Sequence, residues 1–253
     1  MTLYDLSHPI TASSPCTMST LEKVPVMTFE EGDSHGASFL TSRLDNLYMN
    51  LCTHIDFPGH LTDLNNSESV GQYDLTRFFG DVAILDLRYK IDQLRPFFGL
   101  DGRLTIASDH RDYVSSFLDT LNSLEISETE LLRALTQIEA DMDKLTGVVL
   151  ATGMSDYWTN QSYESWEYIY FFNAYLSREA ATFLAGKRRT ARLSFIGIDS
   201  FQLETPLINF SGDEALFAGN DSARTEVVKQ LADRDPAMNH RVLLGADVLI
   251  YEN

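Results

Sequence analysis

Asn50-Leu51-Cys52-Thr53-His54-Ile55-Asp56-Phe57-Pro58-Gly59-His60 is the stretch on which the reading of this chain turns. Two of the chain's six histidines fall in it, with an aspartate between them. In an extended backbone alternate side chains share a face, so Asn50, Cys52, His54 and Asp56 project together. An imidazole nitrogen and a carboxylate oxygen then converge, a donor pair suited to zinc or manganese. Pro58 ends ladder pairing, and Gly59 lets the backbone turn and carry His60 back toward the same point. The segment reads as a metal site with a proton carrier beside it.

On either side of this segment, apolar runs alternate with helical patterns. Val82–Leu87, Gly147–Leu150 and Leu193–Ile198 are strand candidates, and Val242–Ile250 supplies one or two more. Ser127-Glu128-Thr129-Glu130 is a capping box ahead of Leu131, Leu132, Leu135 and Ile138. Ser177 caps a second helix through Glu179, Ala181 and Leu184, with Gly186 closing it. A third helix is expected from Ala223 to Ala232. Strands separated by helices predict an α/β fold with a mixed sheet. Lys90 to Leu124 breaks the rhythm and reads as an insertion with a helix of its own. No repeat or linker is visible, so residues 1–253 are read as a single domain.

The bulk composition excludes several functions. A net charge of -18, from 37 acidic and 19 basic residues, opposes nucleic-acid binding, which needs cations to neutralise phosphates. The cluster Lys187-Arg188-Arg189 is short and reads as a solvated helix end. No apolar run reaches membrane-spanning length, and Met1 to Ile10 lacks a secretory pattern, so a cytoplasmic protein is expected. Cys16 and Cys52 are too few for a disulfide framework or a thiolate cage. Cys52 has no activating partner except His54, so it is not read as a nucleophile.

Thr53, His54, Asp56, Pro58 and His60 match the pattern His-x-Gly-Thr-His-x-Asp-x-Pro-x-His. On that pattern the chain resembles the metal-dependent cyclase family, which includes bacterial kynurenine formamidase and isatin hydrolase. Further blocks agree in order: Asp5–Ile10, Val149–Gly153 with Trp158, Leu176–Ala181, Gly197–Ser200 and His240–Gly245. The resemblance implies a swivelling β/β/α fold, one or two divalent ions (zinc or manganese), a homodimer or homotetramer, and hydrolysis of a small amide or lactone, often an aromatic one. Carried over by position, His54, Asp56 and Glu179 are metal ligands and His60 is the general acid/base. In such a site a bound ion lowers the pKa of its water from 15.7 to about 7, and His60 shuttles the proton. Trp158, in an aromatic-rich stretch that also holds Trp166, Tyr168 and Tyr170, and His240, far along the chain, are expected to contact substrate.

Two departures stand out. Asn50 occupies the position of the first family histidine, where its amide oxygen is a weaker donor, and Cys52 replaces a glycine. A second family histidine, expected within Glu167 to Asn173, is missing. The departures leave three outcomes open: one metal instead of two, a harder ion such as manganese or magnesium, or no metal. The same residues would also serve a cyclase or dehydratase of secondary metabolism, and a metal-free binding protein is the non-enzymatic alternative. Retention of His54, Asp56, His60 and Glu179 together argues against the last.

Overall fold

Alternation of apolar runs with amphipathic helices produces a mixed α/β architecture, seen in a computed structural model that describes residues 26–34, 37–45, 53–60, 71, 73–93, 96, 111–154, 173–200, 202–204, 225, 229, 235 and 237–252. In chain order, the strands β1 (Val26–Ser34) and β2 (Ala37–Asp45) form an antiparallel hairpin. Then come β3 (His54–Asp56), β4 (Val82–Asp86), the one-turn α1 (Tyr89–Asp92), α2 (Arg111–Ser123), β5 (Glu125–Ile126) and α3 (Glu128–Gln137). They are followed by β6 (Gly147–Ala151), β7 (Tyr175–Leu176), α4 (Arg178–Thr190), β8 (Phe195–Ile198), α5 (Met238–Gly245) and β9 (Leu249–Glu252).

The main sheet has the order β3-β9-β8-β6-β4. Four strands run parallel, and β3 closes one edge antiparallel to β9. Parallel strands covered on both faces lose polar alternation, and β8 is buried along its whole length. Leu85, Val148, Leu150, Ile196 and Ile250 form the centre of the core, against Leu131, Leu184 and Leu243 from the helices. At about 25 cal/mol per Å² of apolar surface removed from water, this layer is the main source of stability.

Local signals act where the sequence places them. Ser127 accepts from the Glu130 N–H while the Glu130 carboxylate accepts from the Ser127 N–H, a complete capping box. Ser177 caps α4 through the Ala180 N–H. That helix does not stop at Gly186 but runs to Thr190. Lys187, Arg188 and Arg189 occupy its last turn, where cations meet the negative end of the helix dipole. Arg188 is more than a solvated end, since it donates to Asp247 Oδ2 at 2.9 Å. Val242 belongs to a helix rather than a strand. Asn239, His240, Leu243 and Leu244 are the buried positions of α5, a helical spacing. Within the 90–124 segment, α2 supplies a helix, whereas Lys90 and Ile91 are buried. The helix expected from 223 to 232 lies almost wholly outside the described residues.

Candidate metal centre

The edge strand β3 carries the motif to the sheet. His54 pairs with Glu252 and Asp56 with Ile250, so His54 and Glu252 are cross-strand neighbours on one face. Asp56 shares that face by alternation. His54 Nε2 lies 3.6 Å from Asp56 Oδ2 and 3.6 Å from Glu252 Oε2. Ligand atoms of these three residues all fall within 4.8 Å of one another.

His240 enters the same point from α5. The eight residues of α5 rise about 12 Å. The four residues of β9 return about 13 Å. The helix start and the strand end therefore meet at the same level. His240 Nε2 lies 3.2 Å from Asp56 Oδ2 and 3.5 Å from Glu252 Oε1. A left-handed residue, Asp247 at φ 62°, makes the turn between the two elements. It is held there by Arg77 and Arg188, and Arg77 also donates to its carbonyl at 2.7 Å.

Beyond Asp56, Pro58–His60 forms a single 3-10 turn closed by the His60 N–H on the Phe57 carbonyl at 2.8 Å. The turn sets His60 Nδ1 3.7 Å from Asp56 Oδ1, with the side chain 41% exposed. Its ring centre is 5.9 Å from that of His240. His60 thus stands at the mouth of a site in which Asp56, His240 and Glu252 are buried and His54 is half-buried.

The electrostatics are those of a cation site. Asp56, Glu204 and Glu252 are all buried around the two inner imidazoles. Burial opposes the charge of Asp56, but hydrogen bonds from His240 and His54 hold its carboxyl well below the usual carboxylate range. Burial and the Asp56 charge push Glu252 up to about 7, against the pull of the two histidines and the Leu203 N–H. Burial works against a charge on His240, yet its hydrogen bonds to Asp56 and Glu204 push it up to about 10. In the metal-free protein protons do the work of positive charge among these carboxylates.

The donors also fit a metal by spacing. Two ligands about 2.1 Å from one ion at tetrahedral angles lie roughly 3.4 Å apart. The imidazole-to-carboxylate separations here are 3.2, 3.5, 3.6 and 3.6 Å. His54, Asp56 and Glu252 therefore suit a single divalent ion in both chemistry and spacing, and His240 stands beside two of them as a further donor.

Several expectations change. Glu179 is not at this site. It is exposed in the first turn of α4, lining a surface pocket with Glu128, Arg178, Thr182 and Phe183. The dipole of α4 accounts for an acid there without any metal. The second carboxylate of the cluster is instead Glu252, at the carboxyl end of an apolar strand, where open α/β sheets place their sites. His240 joins the cluster beside Asp56 and Glu252, a second inner imidazole of the kind that the stretch Glu167 to Asn173 lacks in sequence. Asn50, Cys52 and Trp158 lie outside the described residues.

Sequence and fold comparisons agree on a class. The model of the Cyclase family matches residues 4–205, and the chain belongs to that family. The match ends before His240 and Glu252, which the fold brings to the site. By sequence, no curated protein matches the chain. Among solved structures, isatin hydrolase A from Ralstonia solanacearum is similar at 13% identity and a TM-score of 0.56, covering 98% of this chain and 77% of that one. Isatin hydrolase A from Labrenzia aggregata, bound to benzyl benzoate, gives 14% identity and a TM-score of 0.56, with coverages of 98% and 78%. A protein described as a potential metal-dependent hydrolase with cyclase activity gives 16% identity and a TM-score of 0.52, covering 98% and 79%. At these identities the likeness is one of fold. No helix among the described residues is long and apolar enough to cross a membrane.

Proposed function

We propose that this protein is a metal-dependent hydrolase of a small amide or lactone. The observation that carries the reading is the convergence of two imidazoles and two buried carboxylates at the carboxyl end of β9, with an exposed histidine at the rim. A scaffold without chemistry gains nothing from burying three carboxylates together. His54, Asp56, His240 and Glu252 would hold the ion. When bound, it supplies Lewis acidity toward a carbonyl and makes water nucleophilic near neutral pH.

The protein's own groups do the rest. His60 takes the proton of the attacking water as a C–O bond forms at the carbonyl carbon. It returns that proton to the leaving nitrogen or oxygen as the C–N or lactone C–O bond breaks. Its exposure suits this role, because both proton partners arrive with substrate and solvent. Asp56 Oδ1 lies 3.7 Å from His60 Nδ1, which leaves Nε2 as the ring nitrogen turned away from that carboxylate. Amide hydrolysis then yields a carboxylate and an amine. Names among the structural relatives, two isatin hydrolases and one metal-dependent hydrolase, support an amide-like bond as the target.

The test is metal content after purification without chelators, followed by a panel of aryl amides, cyclic amides and lactones. A stoichiometric ion with turnover of at least one class supports the proposal. Absence of metal, with no uptake of added manganese or zinc, overturns it. Metal with ring closure or dehydration in place of hydrolysis would make the protein a cyclase on the same residues.

A further inference from the structure

One buried carboxylate beside the centre is left out of the ligand set. We infer that Glu204 is a positioning residue that locks His240 with its Nε2 toward the ion, an inference that rests on the metal reading above. Glu204 Oε1 accepts from the His240 backbone N–H at 2.7 Å and from the same residue's ring Nδ1 at 2.9 Å. A single oxygen thus grips His240 at two points, fixing both its place and its ring rotation. A carboxylate oxygen only accepts, so Nδ1 carries the hydrogen of that bond. The lone pair of the neutral ring falls on Nε2, the atom that faces Asp56 and Glu252. Carboxylate-to-imidazole pairs of this kind raise the basicity of a ligating nitrogen.

Glu204 is itself firmly placed. The Asn173 amide donates to the carbonyls of Gln202 and Glu204 at 2.7 and 3.1 Å. The Asn239 amide donates to the Leu203 carbonyl at 2.7 Å. The Leu203 N–H then donates to Glu252 Oε1 at 2.9 Å. One short strip of backbone therefore orients two inner members of the site, His240 through Glu204 and Glu252 through the Leu203 amide. The second oxygen, Glu204 Oε2, is buried with no hydrogen-bond partner among the described residues. The charge of Glu204 also acts at longer range on Arg241, but among the described residues no second side chain competes with the His240 ring for a hydrogen bond to its carboxylate. Capping the start of α5 would need only the backbone bond; the Nδ1 bond is what serves the metal.

The experiment compares Glu204→Ala and Glu204→Gln with the full-length wild type. Zinc and manganese affinities are read by competition with a chromophoric chelator. The His240 Nδ1–H is followed by proton NMR of histidine-labelled protein, assigned with His240→Gln. Glu204→Ala is expected to weaken metal binding about 10–100-fold and to lose the hydrogen-bonded Nδ1–H resonance. Glu204→Gln keeps an acceptor oxygen without the charge, so it should retain the resonance and lose less affinity. Unchanged affinity in Glu204→Ala overturns the inference, whatever its thermal stability. Should Glu204→Ala fail to fold, unchanged affinity in Glu204→Gln overturns it. A wild type that takes up neither ion overturns the metal reading and this inference together, whereas a variant that binds as well as a metal-binding wild type overturns this inference alone.

Discussion

His54 and Glu252 face each other across the β3–β9 pair, with His54 Nε2 3.6 Å from Glu252 Oε2. Strand register, not proximity in sequence, joins the motif to its last carboxylate. A one-residue slip of β3 would turn His54 and Asp56 to the opposite face and dismantle the site. The edge strand's pairing is therefore part of the chemistry.

The identity of that carboxylate gives the first prediction. Glu252→Gln and Asp56→Ala should weaken zinc or manganese binding by at least the ~10–100-fold that loss of an outer-shell partner costs. Glu179→Ala should leave affinity unchanged, because Glu179 is exposed on α4. Chelator competition on the three variants measures this. A loss in Glu179→Ala equal to that in Glu252→Gln would return the ligand to α4.

Proton linkage supplies a second. His240 is pushed up to about 10 and Glu252 up to about 7, from ordinary values of 6.5 and 4.5. Both bind protons more tightly folded than unfolded. Their contribution to metal-free stability is complete below those ordinary values and is lost as pH rises through about 7 and about 10. Asp56 acts oppositely, losing its contribution as pH falls. Metal must displace the held protons, so affinity should rise with pH, releasing about one proton above neutrality and approaching two below it. Calorimetry in buffers of different ionisation enthalpy counts them. Release of none would contradict the electrostatic account.

His60 should separate binding from turnover. His60→Ala is expected to keep metal affinity while lowering kcat about 10²–10⁴-fold on any substrate the wild type hydrolyses. Parallel metal titration and steady-state kinetics distinguish the two. Full activity without the imidazole would assign proton transfer elsewhere.

Away from the site, Lys90 is a stability determinant. Its buried ammonium meets the carbonyls of Ser123 and Glu125 at 2.7 and 2.6 Å and Glu130 Oε1 at 2.6 Å. This ties α1 to the start of α3 through the capping-box glutamate. Lys90→Ala strands those acceptors and should cost about 3 kcal/mol in urea unfolding, without altering metal affinity. A loss under ~0.5 kcal/mol, the level of an ordinary surface change, would mean that the network is dispensable.

Much of this was legible in the sequence. The capping box at Ser127, the cap at Ser177 and the apolar runs of β4, β6 and β8 follow from local chemistry, and they stand where the periodicity puts them. His54 and Asp56 were readable because strand alternation acts over two residues. Glu252 and His240 were not. Each reaches the site through a long-range relation, the pairing of β3 with β9 and the return of α5 along β9. Glu179 misled because an acid in the first turn of a helix looks alike whether it serves a dipole or a metal. An acid closing the apolar run Leu249-Ile250-Tyr251 is the local sign of Glu252, and by itself it does not mark a ligand.

The central claim is that His54, Asp56, His240 and Glu252 form one metal centre. Anomalous diffraction from crystals grown with manganese or zinc tests it most directly. The account predicts a strong peak about 2.0–2.2 Å from a donor atom of each of the four residues. A metal-loaded crystal with no peak between them, or with its peak beside Glu179, would contradict it.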